Sequence, residues 1–146
     1  MFSFHFRLAR LLRLRETARD ESRQNLSAAQ QAEDRIRARI AALNDTLTSL
    51  RAQTANASQP GTIEVQRLLE ADRYEITVQS QLQVALDQLQ AASAEVDRCQ
   101  DVLVEADREV KKLEKLRQHQ VSLYERDENR RAIKQFDEAA ARRHAG

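Results

Sequence analysis

Few residues of this chain have side chains and spacings that could support metal binding or phosphate binding. The three histidines, His5, His119 and His144, have no cysteine or carboxylate partner at the spacing of a metal site. The chain has two glycines, which are too few for a glycine-rich phosphate loop. We therefore expect no metal and no cofactor.

The remaining candidates for catalysis are a pair of carboxylates and a single thiol. Asp127 and Glu128 are adjacent in sequence, whereas two carboxylates that cooperate on a helix would be three or four residues apart. Cys99 is the only cysteine, so it cannot form an intramolecular disulfide, and a free cysteine is usually a buried apolar residue. These patterns favour a protein that is not an enzyme and has no catalytic residues.

The composition is typical of long helices rather than of a compact globular core. Of the 146 residues, 32% are charged and only 4% are aromatic, and there is no tryptophan. A compact core needs large apolar side chains buried from several directions, and this chain has few of them. The composition therefore predicts an all-α protein built from a coiled coil.

Apolar residues recur at alternating spacings of four and three in both halves of the chain. One run begins at Ile36, and a longer run extends from Val78 to Leu113. Such spacing places the residues on one stripe of a helix, the seam of a coiled coil. The predicted seam residues are Ile36, Ile40, Leu43, Leu47, Leu82, Leu89, Val96, Cys99, Leu103 and Val110.

A single break separates the two runs. Pro60 and Gly61 stand together, and Pro60 is the only proline of the chain. Proline removes a backbone donor and glycine tolerates a reversal, while Thr62 is a suitable residue to cap the next helix. We therefore predict one domain, 1–146: a two-helix antiparallel coiled-coil hairpin with helix 1 at about 4–56, a turn at about 57–62 and a longer helix 2 at about 63–143.

The charge is distributed unevenly, although the net charge is only +1. Residues 1–23 contain six basic and three acidic residues, and residues 108–146 contain eleven basic and seven acidic residues. Residues 24–107 contain seven basic and thirteen acidic residues. Folding about residue 60 would place the N-terminal phenylalanines opposite residues 116–118, so both basic segments would meet. A hairpin forms no dimer fork like that of basic-zipper proteins, so we expect no nucleic-acid binding.

Two segments resemble the FliJ family of flagellar type III export proteins. The N-terminal FSFHFRLARLLRLRE, residues 2–16, is similar to the opening pattern of that family, in which phenylalanine and leucine alternate before Leu-Arg-Glu. The closing segment, 111–143, also resembles the family. The strongest part of this resemblance is the stretch ENRRAIKQFDEAA, because heptad periodicity does not require these residues. The matching residues there are Lys112, Leu113, Leu116, Tyr124, Glu128, Asn129, Lys134, Asp137, Glu138 and Ala140.

The resemblance implies a non-enzymatic stalk, similar to the rotor of rotary ATPases, that promotes assembly of the export ATPase ring and couples it to the export gate. The implied partners are a FliI-like ATPase ring and its regulator, a FlhA-like gate protein and export chaperones. The implied location is the cytoplasmic face of the bacterial inner membrane, with peripheral association through partners only. An injectisome-type stalk and a coiled-coil scaffold unrelated to secretion are the alternatives.

The resemblance also implies two binding surfaces. The gate-binding stripe maps to Tyr74, Val78, Gln81 and Ala85 on helix 2, with a less well matched half near Arg35, Arg39, Ala42 and Thr46 on helix 1. A basic tip would favour entry into an acidic ring pore. The predicted ring-binding residues are Arg7, Arg10, Arg13, Lys111, Lys112, Lys115 and Arg117.

Overall fold

Two long helices make up almost all of the computed structural model, which describes residues 3–57 and 64–145. Helix α1 spans Ala9–Ala57 and helix α2 spans Val65–Ala145. The helices contact each other along much of their length, and the described residues include no strand. The chain is therefore an all-α helical hairpin, as its composition and periodicity predict. The predicted turn residues Pro60, Gly61 and Thr62 lie outside the described residues.

Helix α2 begins directly after Glu64. The carbonyl oxygen of Glu64 accepts the first helical hydrogen bond from the Leu68 N–H at 3.2 Å, so Glu64 occupies the N-cap position. The Glu64 carboxylate also lies 2.7 Å from the Arg67 guanidinium. A carboxylate at this position faces the positive end of the helix dipole, which stabilises the start of α2.

Helix α1 begins later than the sequence analysis predicts. It starts at Ala9 instead of about residue 4, and the Leu8 carbonyl accepts the first helical bond from the Leu12 N–H at 2.9 Å. The preceding residues pack their aromatic rings against the protein: Phe6 is buried, and Phe4 is half-buried. Burying an aromatic side chain stabilises by about 1.5–3 kcal/mol, which exceeds the small gain from one more helical turn.

The chain divides by its internal packing into two units, and both helices contribute to each. The central unit is Arg23–Val102, and the terminal unit comprises the chain up to Ser22 and from Leu103 onward. The prediction of a single domain over 1–146 stays a prediction.

The best-packed part of the central unit is an apolar cluster close to the reversal of the chain. Leu47 and Leu50 of α1 are buried against Val78 of α2, and Leu43 and Leu82 pack against this cluster. Beside it, the Arg51 guanidinium lies 3.1 Å from the Glu75 carboxylate. This ion pair joins the two helices. Because Arg51 is largely exposed, the pair contributes at most about 1 kcal/mol.

The terminal unit is joined by an aromatic pair. The rings of Phe4 and Tyr124 lie 5.7 Å apart at 53°, a favourable tilted geometry. Phe4 was expected opposite residues 116–118, and this expectation is wrong. One cause of the difference is that the residues before Ala9 are not helical, so they advance further per residue than a helix does.

The unpaired part of α2 is correspondingly shorter than expected. Half-buried positions continue along this helix to Tyr124 and Glu128, and every residue of 129–145 is exposed. The unpaired end of α2, called here the overhang, therefore begins after Glu128 and not directly after residues 116–118.

A buried charge at Val78 should destabilise the central unit. Val78 has 1% of its surface exposed, so Val78→Asp would bury a carboxylate without a partner, at a cost of about 3 kcal/mol or more. We expect a lower midpoint of thermal unfolding, measured by circular dichroism at 222 nm. Val84 lies on the same helix and is 52% exposed, so Val84→Asp should change stability by less than about 0.5 kcal/mol. Equal midpoints for both variants would contradict the packing described for Val78.

Candidate functional site

The ten residues of the predicted seam all lie at buried or half-buried positions. Leu47, Cys99 and Val110 are buried, and Val110 is fully enclosed. The half-buried members are Ile36, Ile40, Leu43, Leu82, Leu89, Val96 and Leu103. The seam therefore holds the helices together and leaves binding to the residues outside it.

Cys99 is buried in the seam and lies beside a surface ion pair. Its thiol donates to the Glu95 carboxylate at 3.5 Å, and the same carboxylate accepts a bond from Arg98 at 2.6 Å. Burial raises the pKa of the Cys99 thiol, and the hydrogen bond to Glu95 raises it further. Arg98 lowers the pKa of Glu95 by hydrogen bonding to its carboxylate. A reactive cysteine needs a lowered pKa and access to solvent, and Cys99 has neither.

Cys99 should react slowly with thiol reagents in the folded chain. Because folding raises the pKa of the thiol, less thiolate is present at any given pH. The labelling rate should therefore rise with pH along a curve that is shifted to higher pH than the curve of the unfolded chain. At pH 8 we expect labelling by iodoacetamide to be at least roughly ten-fold slower than in urea, since reaction requires local opening. Equal rates in buffer and urea, followed by mass spectrometry, would show that the thiol is accessible.

The residues predicted to bind the export gate divide into two exposed and two buried side chains. Tyr74 is 52% exposed, and Gln81 is exposed. Val78 and Ala85 retain 1% and 0% of their surface, because they pack in the seam. A partner could reach them only by separating the helices, so the accessible part of this stripe is Tyr74 and Gln81. On α1, Arg35, Arg39 and Ala42 are exposed, whereas Thr46 is half-buried and bonds to the Ala42 carbonyl at 3.0 Å.

Tyr74 lines an open cleft between the last turns of α1 and the first turns of α2. The cleft has a volume of about 680 Å³, and its apolar wall is formed by Leu50, Leu68, Ala71 and Tyr74. Arg67 and Glu70 line it as well. An apolar wall with charged groups beside it is suited to a peptide or helix that carries an apolar side chain.

The sequence analysis missed a second apolar stripe near the beginning of α2. Val65, Leu69 and Ile76 are 63%, 53% and 66% exposed, and their spacings of four and seven place them on one face of the helix. Val78 and Ala85 are buried on another face. The spacing of this stripe was visible in the sequence, but its exposure could be seen only once the structure showed which stripe of α2 is buried.

The seven predicted ring-binding residues all belong to the terminal unit, and each is exposed. The contact of Phe4 with Tyr124 places Arg10 and Arg13 at about the level of Lys115 and Arg117 on the antiparallel helix. Lys111 pairs with Asp107 at 2.9 Å, and Lys112 pairs with Glu109 at 3.3 Å. The other members have no ion pair within the described part of the chain: Arg7, Arg10, Arg13, Lys115 and Arg117.

The described residues contain neither a group of metal ligands nor a helix suited to cross a membrane. Across residues 3–57 and 64–145, no three His, Cys, Asp or Glu side chains are grouped closely enough to hold a metal ion. Neither helix has, in the same residues, a segment that is long and apolar enough to cross a bilayer.

Comparison with known proteins identifies the family. Neither the curated proteins nor the solved structures gave a match to this chain. A family model described as Flagellar FliJ protein matches residues 4–146, which is nearly the whole chain and includes both segments that carry the resemblance. This family is a non-catalytic component of flagellar protein export. The chain therefore belongs to the flagellar FliJ family.

Proposed function

We propose that this chain is a non-enzymatic coiled-coil stalk that couples the export ATPase ring to the membrane export gate and promotes assembly of the ring. The observation that carries the proposal is the family match over 4–146. It favours a flagellar stalk over an injectisome stalk or an unrelated scaffold. Work at the cytoplasmic face of the inner membrane, with export chaperones as further partners, belongs to the same proposal.

The ring-binding surface is proposed on the terminal unit. Arg10, Arg13 and Lys115 are exposed cations on two neighbouring helices, and no acidic side chain pairs with them among the described residues. Like charges at this spacing repel each other, so an acidic partner surface would relieve the repulsion. Electrostatic complementarity of this kind raises the association rate more than it raises the affinity.

The gate-binding surface is proposed on the central unit, around Tyr74 and Gln81. Tyrosine is a frequent anchor of protein interfaces because it combines a large apolar ring with a hydroxyl. Tyr74 lies on the wall of the cleft and remains half-exposed, so its ring is accessible to a partner without separation of α1 from α2. Two surfaces in separate units would let one chain bind two partners at once.

Reversing three charges of the terminal unit should slow binding to the ATPase. The variant Arg10→Glu, Arg13→Glu, Lys115→Glu should reduce the association rate by roughly ten-fold or more at low salt, measured by stopped-flow fluorescence. The defect should shrink as salt rises, because exposed charges are screened over about 8 Å at physiological ionic strength. Binding to the gate protein should be unchanged. If the variant loses both partners equally while retaining its helicity, the two surfaces are not separate.

Removing the Tyr74 ring should weaken gate binding and leave the hairpin folded. We expect Tyr74→Ala to raise the Kd for the gate protein by at least roughly ten-fold, because truncation of an interface anchor typically costs about 2 kcal/mol. Val102 is 45% exposed on the same helix, and Val102→Ala serves as the control. If Ile76→Ala weakens gate binding and Tyr74→Ala does not, the stripe of Val65, Leu69 and Ile76 is the gate surface instead.

A further inference from the structure

One exposed face of α2 carries a row of basic residues that lies apart from the seam. Successive members are separated by four, three, eleven and four residues, and all of these spacings return to the same side of a helix with 3.6 residues per turn. The row, called here the basic face, consists of Arg108, Lys112, Lys115, Arg126 and Arg130. All five residues are exposed, and the positions between Lys115 and Arg126 on this side are His119 and Ser122. The row is about 33 Å long at 1.5 Å per residue.

The basic face has defined ends, and no acidic residue interrupts it. Asp101 occupies the same side of the helix one heptad before Arg108, and Asp137 occupies it one heptad after Arg130. The seam residues of this unit lie elsewhere on the helix: Val110 is buried, and Leu113 and Tyr124 are half-buried. The charges are therefore segregated on the side of α2 that faces away from α1.

Only two members of the basic face have acidic partners within the described residues. Arg108 lies 3.2 Å from Glu105, and Lys112 lies 3.3 Å from Glu109. Lys115, Arg126 and Arg130 have no such pair. Basic residues three or four positions apart on a helix repel each other, as Arg126 and Arg130 do here. An anionic surface along this side would relieve the repulsion.

Exposed apolar side chains alternate with the cations along the same side. Leu116, Leu123 and Ile133 are 38%, 45% and 62% exposed, and each lies next to a member of the basic face. Leucine and isoleucine side chains can insert into the headgroup region of a bilayer. The phosphodiester backbone of a nucleic acid offers no apolar surface for them to contact. Nucleic-acid surfaces instead place large aromatic side chains among the cations for base stacking, and this side of α2 has no Phe, Tyr or Trp between Arg108 and Arg130.

We propose that the basic face of α2 binds directly to anionic lipid membranes, with Arg108, Lys112, Lys115, Arg126 and Arg130 facing the headgroups. Direct binding differs from the expectation that this chain reaches the membrane through its partners only. It requires no ATPase and no gate protein, so it stands independently of the stalk function. Each basic residue close to an anionic bilayer strengthens binding about five-fold.

The test is sedimentation of the full-length chain with vesicles of 70% phosphatidylcholine and 30% phosphatidylserine, and with pure phosphatidylcholine vesicles. The first variant is Arg126→Glu with Arg130→Glu, which leaves every proposed ring-binding residue intact. The matched control is Arg35→Glu with Arg39→Glu, two exposed arginines of α1 that change the net charge equally. Circular dichroism verifies that both variants remain helical.

We expect the chain to sediment with the anionic vesicles at low salt and to be released by 0.5 M NaCl. It should not sediment with vesicles of pure phosphatidylcholine. The Arg126→Glu, Arg130→Glu variant should bind at least roughly 30-fold more weakly, and the α1 control should bind like the parent. Ile133→Ser should also weaken binding to anionic vesicles. Absence of vesicle binding, or an equal loss in both double variants, would overturn the proposal. Tighter binding to a 30-nucleotide single-stranded DNA than to the vesicles would overturn it in favour of nucleic acid.

Discussion

The whole hairpin depends on the burial of one narrow apolar stripe from each helix against the other. Within the described residues, only seven apolar side chains are buried, and they are spread along both helices instead of gathering in one core. Neither stripe could be removed from water by its own helix. The contacts of Leu47 and Leu50 with Val78, and the burial of Ala85, Cys99 and Val110, are therefore what makes α1 and α2 a folded structure. This constraint also decides which side chains remain available to partners.

A narrow seam leaves most of the helix surface exposed, and the two units use that surface differently. In the central unit the exposed features are apolar: the ring of Tyr74 beside its cleft, and the stripe that includes Leu69 and Ile76. In the terminal unit exposed cations, from Arg10 and Arg13 on α1 to the basic face on α2, are interspersed with exposed apolar side chains such as Leu14 and Phe136. Partners bind through exposed side chains of this kind, so the two units offer different surfaces for binding.

The FliJ family match covers residues 4–146, including the last part of α2, where every described residue is exposed. Residues 129–145 are exposed throughout, and Phe136 is 81% exposed. Helix formation there depends on local propensity, which is high because alanine and arginine make up nine of these 17 residues. The end of the helix is further supported by Arg142 and Arg143 in its last turn, where cations face the negative end of the dipole.

The sequence by itself determined the fold class, the seam and the absence of a recognisable catalytic motif. Periodicity was sufficient for the seam because residues spaced alternately by three and four lie on one stripe of a helix, as do Leu82, Ala85, Leu89, Ala92, Val96 and Cys99. The family could be identified from the two ends of the chain for a different reason. Their residues are more specific than the heptad pattern of a coiled coil requires.

Only the tertiary structure decided the register between the helices and the exposure of each candidate residue. Pairing of Phe4 with Tyr124 depends on a non-helical segment before Ala9. Helical periodicity does not indicate that the helix begins only after the packed aromatic residues. The same limit applies to the predicted gate stripe. Val78 lies one helical turn from Tyr74, yet Val78 is enclosed and Tyr74 is half-exposed, because burial depends on where the partner helix runs.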